Sequence, residues 1–312
     1  MPVRALLRAI SVNGTNSPYD TLTMKVFYPA EMALDETSRE TGVLPVARDQ
    51  APYPIVIFFG GVNCESYQYY WLAQAIAEEG YIVAVPSWMA QQLAGRTSFT
   101  PGIDLAALKP EVYGSRPSLL SLLPILEALN TLNGEGVLAN AIDLGAVILG
   151  GHSAGGTMAL MNADRRFMSG IVGSFSLMAN VLATSALGGW ERGQIPPLPT
   201  DVPALLIGGD ADQINVHHNA QFGRETLDSG GMIAAMLSEG YATPHPKSSA
   251  IVIQGATHYS VCYPLDETIG RTFLEEQPEK TTAIRAMVKD AVVWFLGEFI
   301  KTAPIPHPLP TT

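Results

Sequence analysis

Six short stretches of this chain are largely apolar at successive positions and are bounded by glycine, proline or serine: PIVIFFGG (54–61), YIVAVPS (81–87), GAVILGG (145–151), IVGSFSLMA (171–179), PALLIGGD (203–210) and SAIVIQGA (249–256). A strand with one wet face alternates apolar and polar residues, so unbroken apolar runs predict strands covered on both faces, as in a parallel sheet. Between the runs lie segments with helical spacing. Tyr67, Tyr70, Trp71, Ala75 and Ile76 mark one over 67–79 that stops at Gly80, and others cover about 118–132, the stretch from Ala154, and 281–300. Strands alternating with helices predict an α/β fold, a mostly parallel central sheet with helices on both faces. Residues 3–12 and 21–28 flank the turn-rich NGTNSPYD and predict an antiparallel edge. Residues 30–53 are mixed, polar and proline-bearing and are expected at the surface. No repeat or flexible linker divides the chain, so residues 1–312 are expected to form one domain.

The chain carries a formal charge of -11 with only 18 Lys and Arg, and no basic block. Nucleic acid and anionic membranes are held by clustered cations, so neither is expected as a partner. No run is long and apolar enough for a transmembrane helix, and the N-terminus lacks the apolar core of a secretion signal. Cys64 and Cys262 are the only cysteines, too few for a disulfide framework. They are read as reduced thiols, which with the missing signal points to the cytoplasm.

Within LGGHSAGGTMAL (149–160), Ser153 stands between glycines where an apolar run passes into a helical pattern. A serine hydroxyl needs a base to take its proton and a backbone that thrusts it toward substrate. A sharp strand-to-helix turn does the second, and it requires small residues two before and two after, here Gly151 and Gly155. Gly-x-Ser-x-Gly in this context resembles the nucleophile elbow of the α/β-hydrolases, in which an acid and then a histidine follow on later strand ends. The backbone N–H of Ala154, at the start of the helix, is the first candidate donor to an oxyanion.

The chain has six histidines. His152 precedes the serine and should point away from the pocket, and His245 and His307 sit in proline-bracketed loops. His217 and His218 begin a helix-like stretch, where adjacent side chains do not converge on one metal ion. His258 remains, just past the last predicted strand. For the acid, LLIGGDADQINV places both Asp210 and Asp212 after the strand from Pro203. A carboxylate there would accept the second imidazole N–H and hold its tautomer.

The segments IVIFFGGVNCESYQYYWLAQAIAEEGYIVAVPS, AVILGGHSAGGTMAL, PALLIGGDADQI and IVIQGATHYS together resemble α/β-hydrolase esterases of the dienelactone-hydrolase, chlorophyllase and cutinase-like polyesterase kind. The resemblance covers somewhat under a quarter of the chain and implies the α/β-hydrolase fold. It implies ester hydrolysis through an acyl-enzyme, with Ser153 as nucleophile and His258 as base, and it needs no cofactor or metal. Asp212 stands three residues past Gly209, the spacing seen in the fold, which favours it over Asp210 as the acid and leaves Asp210 to form a turn. Related loops often read His-Gly-X with X donating to the oxyanion. Here Gly60-Gly61-Val62 takes those places, so the Val62 N–H is the second candidate donor.

Two stretches, about 88–115 and 180–202, read as loop insertions over the catalytic edge. Their apolar residues, Trp88, Met89, Phe99, Leu182, Leu187 and Trp190 among them, admit two readings: satellite core, or the wall of a pocket for a hydrophobic, lipid-like ester. Trp88, Met89 and Trp190 are the candidates for substrate contact. Acyl transfer and thioester cleavage use the same fold, and a non-catalytic receptor on this scaffold is the alternative from another class.

Overall fold

The computed structural model describes residues 1–32, 35–93, 96–268 and 270–297; His307 and positions 298–300, which the sequence pattern assigns to the closing helix, lie outside the described residues. Its elements run β1 (Val3–Ser11), β2 (Thr21–Pro29), α1 (Glu36–Thr41), β3 (Tyr53–Phe59), α2 (Tyr70–Glu78), β4 (Ile82–Ser87), β5 (Met89–Leu93), β6 (Arg96–Phe99) and α3 (Leu122–Gly134). They continue with β7 (Ile142–His152), α4 (Ala154–Met161), β8 (Ile171–Leu177), α5 (Val181–Gly188), β9 (Ala204–Gly209), α6 (Gln213–Phe222), α7 (Ser229–Ala235), β10 (Ser249–Ile253) and α8 (Thr281–Phe295). Eight strands form one sheet in the order β1-β2-β4-β3-β7-β8-β9-β10. From β4 to β10 every pairing is parallel, while β1 on β2 and β2 on β4 are antiparallel.

The apolar runs are explained by this sheet. Neighbouring residues on a strand point to opposite faces. Ile55, Ile57 and Leu149 join the buried cluster on one face, and Val56, Phe58 and Ile148 join the cluster on the other. The edges read differently. β1 is mostly exposed, and β10 alternates, leaving Val252 open to solvent.

Chain direction fixes where a site can form. After β3 the chain adds β4 on one side, and it later returns to place β7 on the other side of β3. Parallel neighbours whose connections leave in opposite directions open a crevice beyond their carboxyl ends. Phe59 lies opposite Gly151 in the register, so the loop from Gly60 and the turn at Ser153 leave the sheet side by side.

The two stretches expected as loops carry regular structure. Residues 88–115 begin with the antiparallel β5–β6 ribbon, and 180–202 begin with α5, capped by the Asn180 side chain accepting from the Leu182 N–H. The periodicity expected from residue 67 opens as a 3-10 turn over Ser66–Tyr69 before α2 proper. α1 and α7 form where the sequence shows no helical spacing of apolar residues. α7 is short and begins Ser-Gly-Gly, and its N-terminus rests on Asp228 accepting from the Gly231 N–H. None of the described helices is long and apolar enough to cross a membrane.

Because both faces of β7 are covered, Ile148→Ala and Leu149→Ala should each cost about 2–5 kcal/mol in urea unfolding. A marked asymmetry between the two would contradict two-sided burial.

Candidate active site

Ser153 occupies the turn between β7 and α4 with φ 53 and ψ -124, outside the regions that L-residues favour. The turn is feasible because its neighbours lack side chains. A Cβ on Gly151 would lie 2.4 Å from the Gly155 carbonyl carbon, and one on Gly155 would lie 2.2 Å from the Phe59 carbonyl oxygen. Helix α4 therefore rests directly on the backbone of β3 and β7, and the serine is pushed outward.

Ser153 Oγ lies 2.9 Å from Nε2 of His258, whose Nδ1 lies 2.9 Å from Oδ2 of Asp212. Since a carboxylate only accepts, Nδ1 carries the proton and the Nε2 lone pair faces the hydroxyl. Asp212 is fully buried at the N-cap of α6. Its Oδ1 accepts from the Asn215 N–H, and its Oδ2 accepts from both His258 and the Asn215 side-chain amide, each at 2.8–2.9 Å. Asn215 is itself tied to the Met178 carbonyl. Asp210 is exposed and accepts from the Gly255 N–H, bracing the turn after β10.

Glu275 is a second carboxylate at the site. Its Oε2 accepts from the His258 N–H and its Oε1 from the N–H groups of Gln213 and Ile214 at the start of α6. One side chain thus joins the histidine loop to the acid's helix. Burial raises the Glu275 pKa, with the nearby Asp212 charge adding to the effect. Burial also works against a charged His258, but the charge and hydrogen bond of Asp212, with Glu275 behind them, outweigh it and raise the His258 pKa above its ordinary value.

The loop after β3 reaches the same place. A Cβ on Gly61 would lie 3.1 Å from Ser153 Cβ. Val62 follows at the surface, and Ala154 opens α4; the backbone N–H of neither has a protein partner among the described hydrogen bonds. The Asn63 N–H donates to the Phe99 carbonyl, holding this loop against the β5–β6 ribbon. A narrow cleft there, bordered by Gly61, Cys64, Phe99, Thr100 and Ser121 among others, has room for about one water molecule.

Trp88, Met89 and Trp190, the candidates for substrate contact, take different places. Trp88 is buried, packs on Gly102 and donates its indole N–H to the Tyr19 carbonyl. Met89 is half exposed on the ribbon. Trp190 donates to the Leu108 carbonyl, stacks edge-on against Tyr113 and lines a separate depression with Leu182 and Phe222 that includes none of Ser153, Asp212 and His258. His218, on α6, has its pKa lowered to about 4 by burial and by the adjoining Arg271.

His152 lies beneath the site. Its Nε2 is 2.9 Å from the His258 carbonyl, which only accepts, so Nε2 is the protonated nitrogen and Nδ1 accepts from the Tyr69 hydroxyl at 2.8 Å. Cys64 and Cys262 adjoin this pair as free, buried thiols. The Glu275 and His152 contacts carried no signal in the sequence, since each joins segments far apart in the chain.

The ferulic acid esterase from Streptomyces cinnamoneus matches the whole of this chain and 94% of its own with a TM-score of 0.55 at 15% identity. This is the α/β-hydrolase fold. An esterase from the archaeon Pyrobaculum calidifontis, at 15% identity, is matched over 93% of this chain and 84% of its own with a TM-score of 0.47. The dienelactone hydrolase of Anabaena variabilis, at 14% identity, is matched over 96% and 99% with a TM-score of 0.48. No protein-family profile and no curated protein matches the sequence. In an α/β-hydrolase the strand-to-helix turn after the central strand sits at the crevice, the place Ser153 takes here.

Gly155→Ala should cost about 3 kcal/mol in equilibrium unfolding, because the added methyl meets backbone and not a side chain that can turn away. Glu275→Gln removes a negative charge facing His258 and should lower the histidine pKa, read from its imidazole proton resonances across a pH titration. An unchanged titration would show that Glu275 does not act on His258 electrostatically.

Proposed function

We propose that this chain is a serine hydrolase that cleaves carboxylic esters through an acyl-enzyme intermediate. The observation that carries the reading is the hydrogen-bonded line from the Ser153 hydroxyl through His258 to Asp212, mounted on a strained turn at the sheet's crevice. His258 Nε2 takes the Ser153 proton as Oγ attacks the ester carbonyl. Asp212 keeps the imidazole in the receptive tautomer and offsets the charge that forms on it. The N–H groups of Val62 and Ala154 receive the developing oxyanion, and loss of one such donor costs about 100- to 1,000-fold in turnover. The alkoxide leaves with the proton returned by His258. Water activated by the same imidazole then releases the acid.

The substrate class we propose is a hydrophobic ester. Two exposed apolar side chains beside the serine turn support this reading: Val62 follows Gly61 at the surface, and Met89 stands half-exposed on the ribbon that holds the Val62 loop through Asn63 and Phe99. The deficit of cations favours an uncharged acyl group over an anionic one. The same features fit a single catalytic domain that acts on a small lipid-like molecule.

A fluorophosphonate probe should label the protein at Ser153, and Ser153→Ala should abolish labelling. Asp212→Asn should reduce turnover of aryl esters by about 10,000-fold with little effect on KM. Turnover should rise with acyl length from acetyl upward. Absence of labelling in the folded parent protein would point instead to a receptor that holds its ligand without turnover.

A further inference from the structure

Behind the serine turn, the sulfurs of Cys64 and Cys262 and a ring nitrogen of His152 all lie within 4.8 Å of one another, and all three residues are buried. The Tyr69 hydroxyl completes the group, 2.8 Å from His152 Nδ1 and 3.8 Å from Cys262 Sγ. Two thiols and an imidazole are the donor set that selects zinc or another thiophilic d10 cation. We propose that Cys64, Cys262 and Nδ1 of His152 form a structural Zn2+ site.

Three features separate this cluster from a chance meeting of buried groups. The first is the state of the histidine. A metal-binding imidazole typically donates its other N–H to a carbonyl or carboxylate, which fixes the tautomer and aims the free lone pair at the ion. His152 does this through Nε2 and the His258 carbonyl, which leaves Nδ1 unprotonated, its lone pair accepting from the Tyr69 hydroxyl at the edge of the cluster. The second is charge. Two thiolates and a neutral imidazole around Zn2+ sum to zero, which suits a site enclosed by the apolar cluster to which Cys64, Tyr69 and Cys262 belong.

The third is spacing. Tetrahedral zinc with sulfur at about 2.3 Å and nitrogen at about 2.0 Å puts its ligands roughly 3.5–3.8 Å apart. The three atoms therefore need to close by about 1.0–1.3 Å at most. Binding releases the two thiol protons to solvent and frees the Tyr69 O–H from Nδ1. That hydroxyl is then left beside Cys262 as a donor to its thiolate or as a fourth oxygen ligand.

The site would be structural because of what it joins. Gly61 packs against it, since a Cβ built there would lie 3.1 Å from both His152 Nδ1 and Ser153 Cβ and 3.3 Å from Cys64 Sγ. The ligands come from the loop after β3, the end of β7 and the loop after β10. Those are the segments that also carry Val62, Ser153 and His258, so one ion would tie them together from behind. The inference does not depend on ester hydrolysis, and its readouts are independent of activity.

The test uses the full chain, reduced, freed of metal and kept anaerobic. Titration with Co2+ should give a thiolate-to-cobalt charge-transfer band that saturates at one equivalent and is removed by Zn2+. Cys64→Ala and Cys262→Ala should each lose most of the band, with circular dichroism reporting their folding. Zinc X-ray absorption on the parent protein needs no variant and should show two sulfur neighbours at about 2.3 Å. A folded parent protein without the band, a zinc shell of nitrogen and oxygen alone, or a band unchanged in Cys262→Ala would overturn the site. So would a Cys64–Cys262 disulfide forming on air exposure despite saturating Zn2+.

Discussion

The site depends on the close approach of helix α4 to strands β3 and β7. Gly155 lets α4 lie against the Phe59 carbonyl, and Gly151 lets the helix start immediately after the strand, so Ser153 has no direction left but outward. The strained backbone at Ser153 is sustained by packing on both sides of β7, where Ile148 and Leu149 are each fully buried. A turn of this kind cannot exist in isolation. It requires a sheet already covered on both faces to absorb its cost.

Around that turn the polar groups are arranged in depth. Asp212 spends its oxygens on His258 and on the backbone and side chain of Asn215, which leaves it no freedom to swing away. Glu275 holds the histidine loop by its backbone and the acid's helix by its first N–H groups. His152 supports the His258 carbonyl from below, with Tyr69 beneath it bridging to the Gly61 N–H. The loop after β3, the serine turn and the histidine loop are thus linked by side-chain hydrogen bonds that do not involve the Ser153 hydroxyl.

Much of this architecture was legible in the sequence because burial on both faces leaves a one-dimensional trace. The runs around Ile57, Ala84, Leu149 and Ile207 are apolar at every step, and the glycines around Ser153 are a local steric demand. What was not legible arose from contacts without local pattern. The stretch after residue 180 became helix α5 because Asn180 caps it and α6 receives it, and α7 forms despite two glycines because it packs beside β9 and β10. Trp88 and Trp190 read alike as apolar residues in insertions. One is sealed against Gly102 while the other covers Leu108 and Tyr113.

The sequence by itself determined the layered α/β arrangement, the serine turn and the shortlist of partners for it, since strand burial, glycine sterics and residue type are all local properties. Only the tertiary structure decided that Asp212 and not Asp210 faces His258, that Glu275 enters the site, and that Cys64, His152 and Cys262 converge. The physical reason is that a hydrogen bond or a ligand cluster is set by side-chain direction between segments up to about two hundred residues apart, and no spacing along the chain encodes that direction.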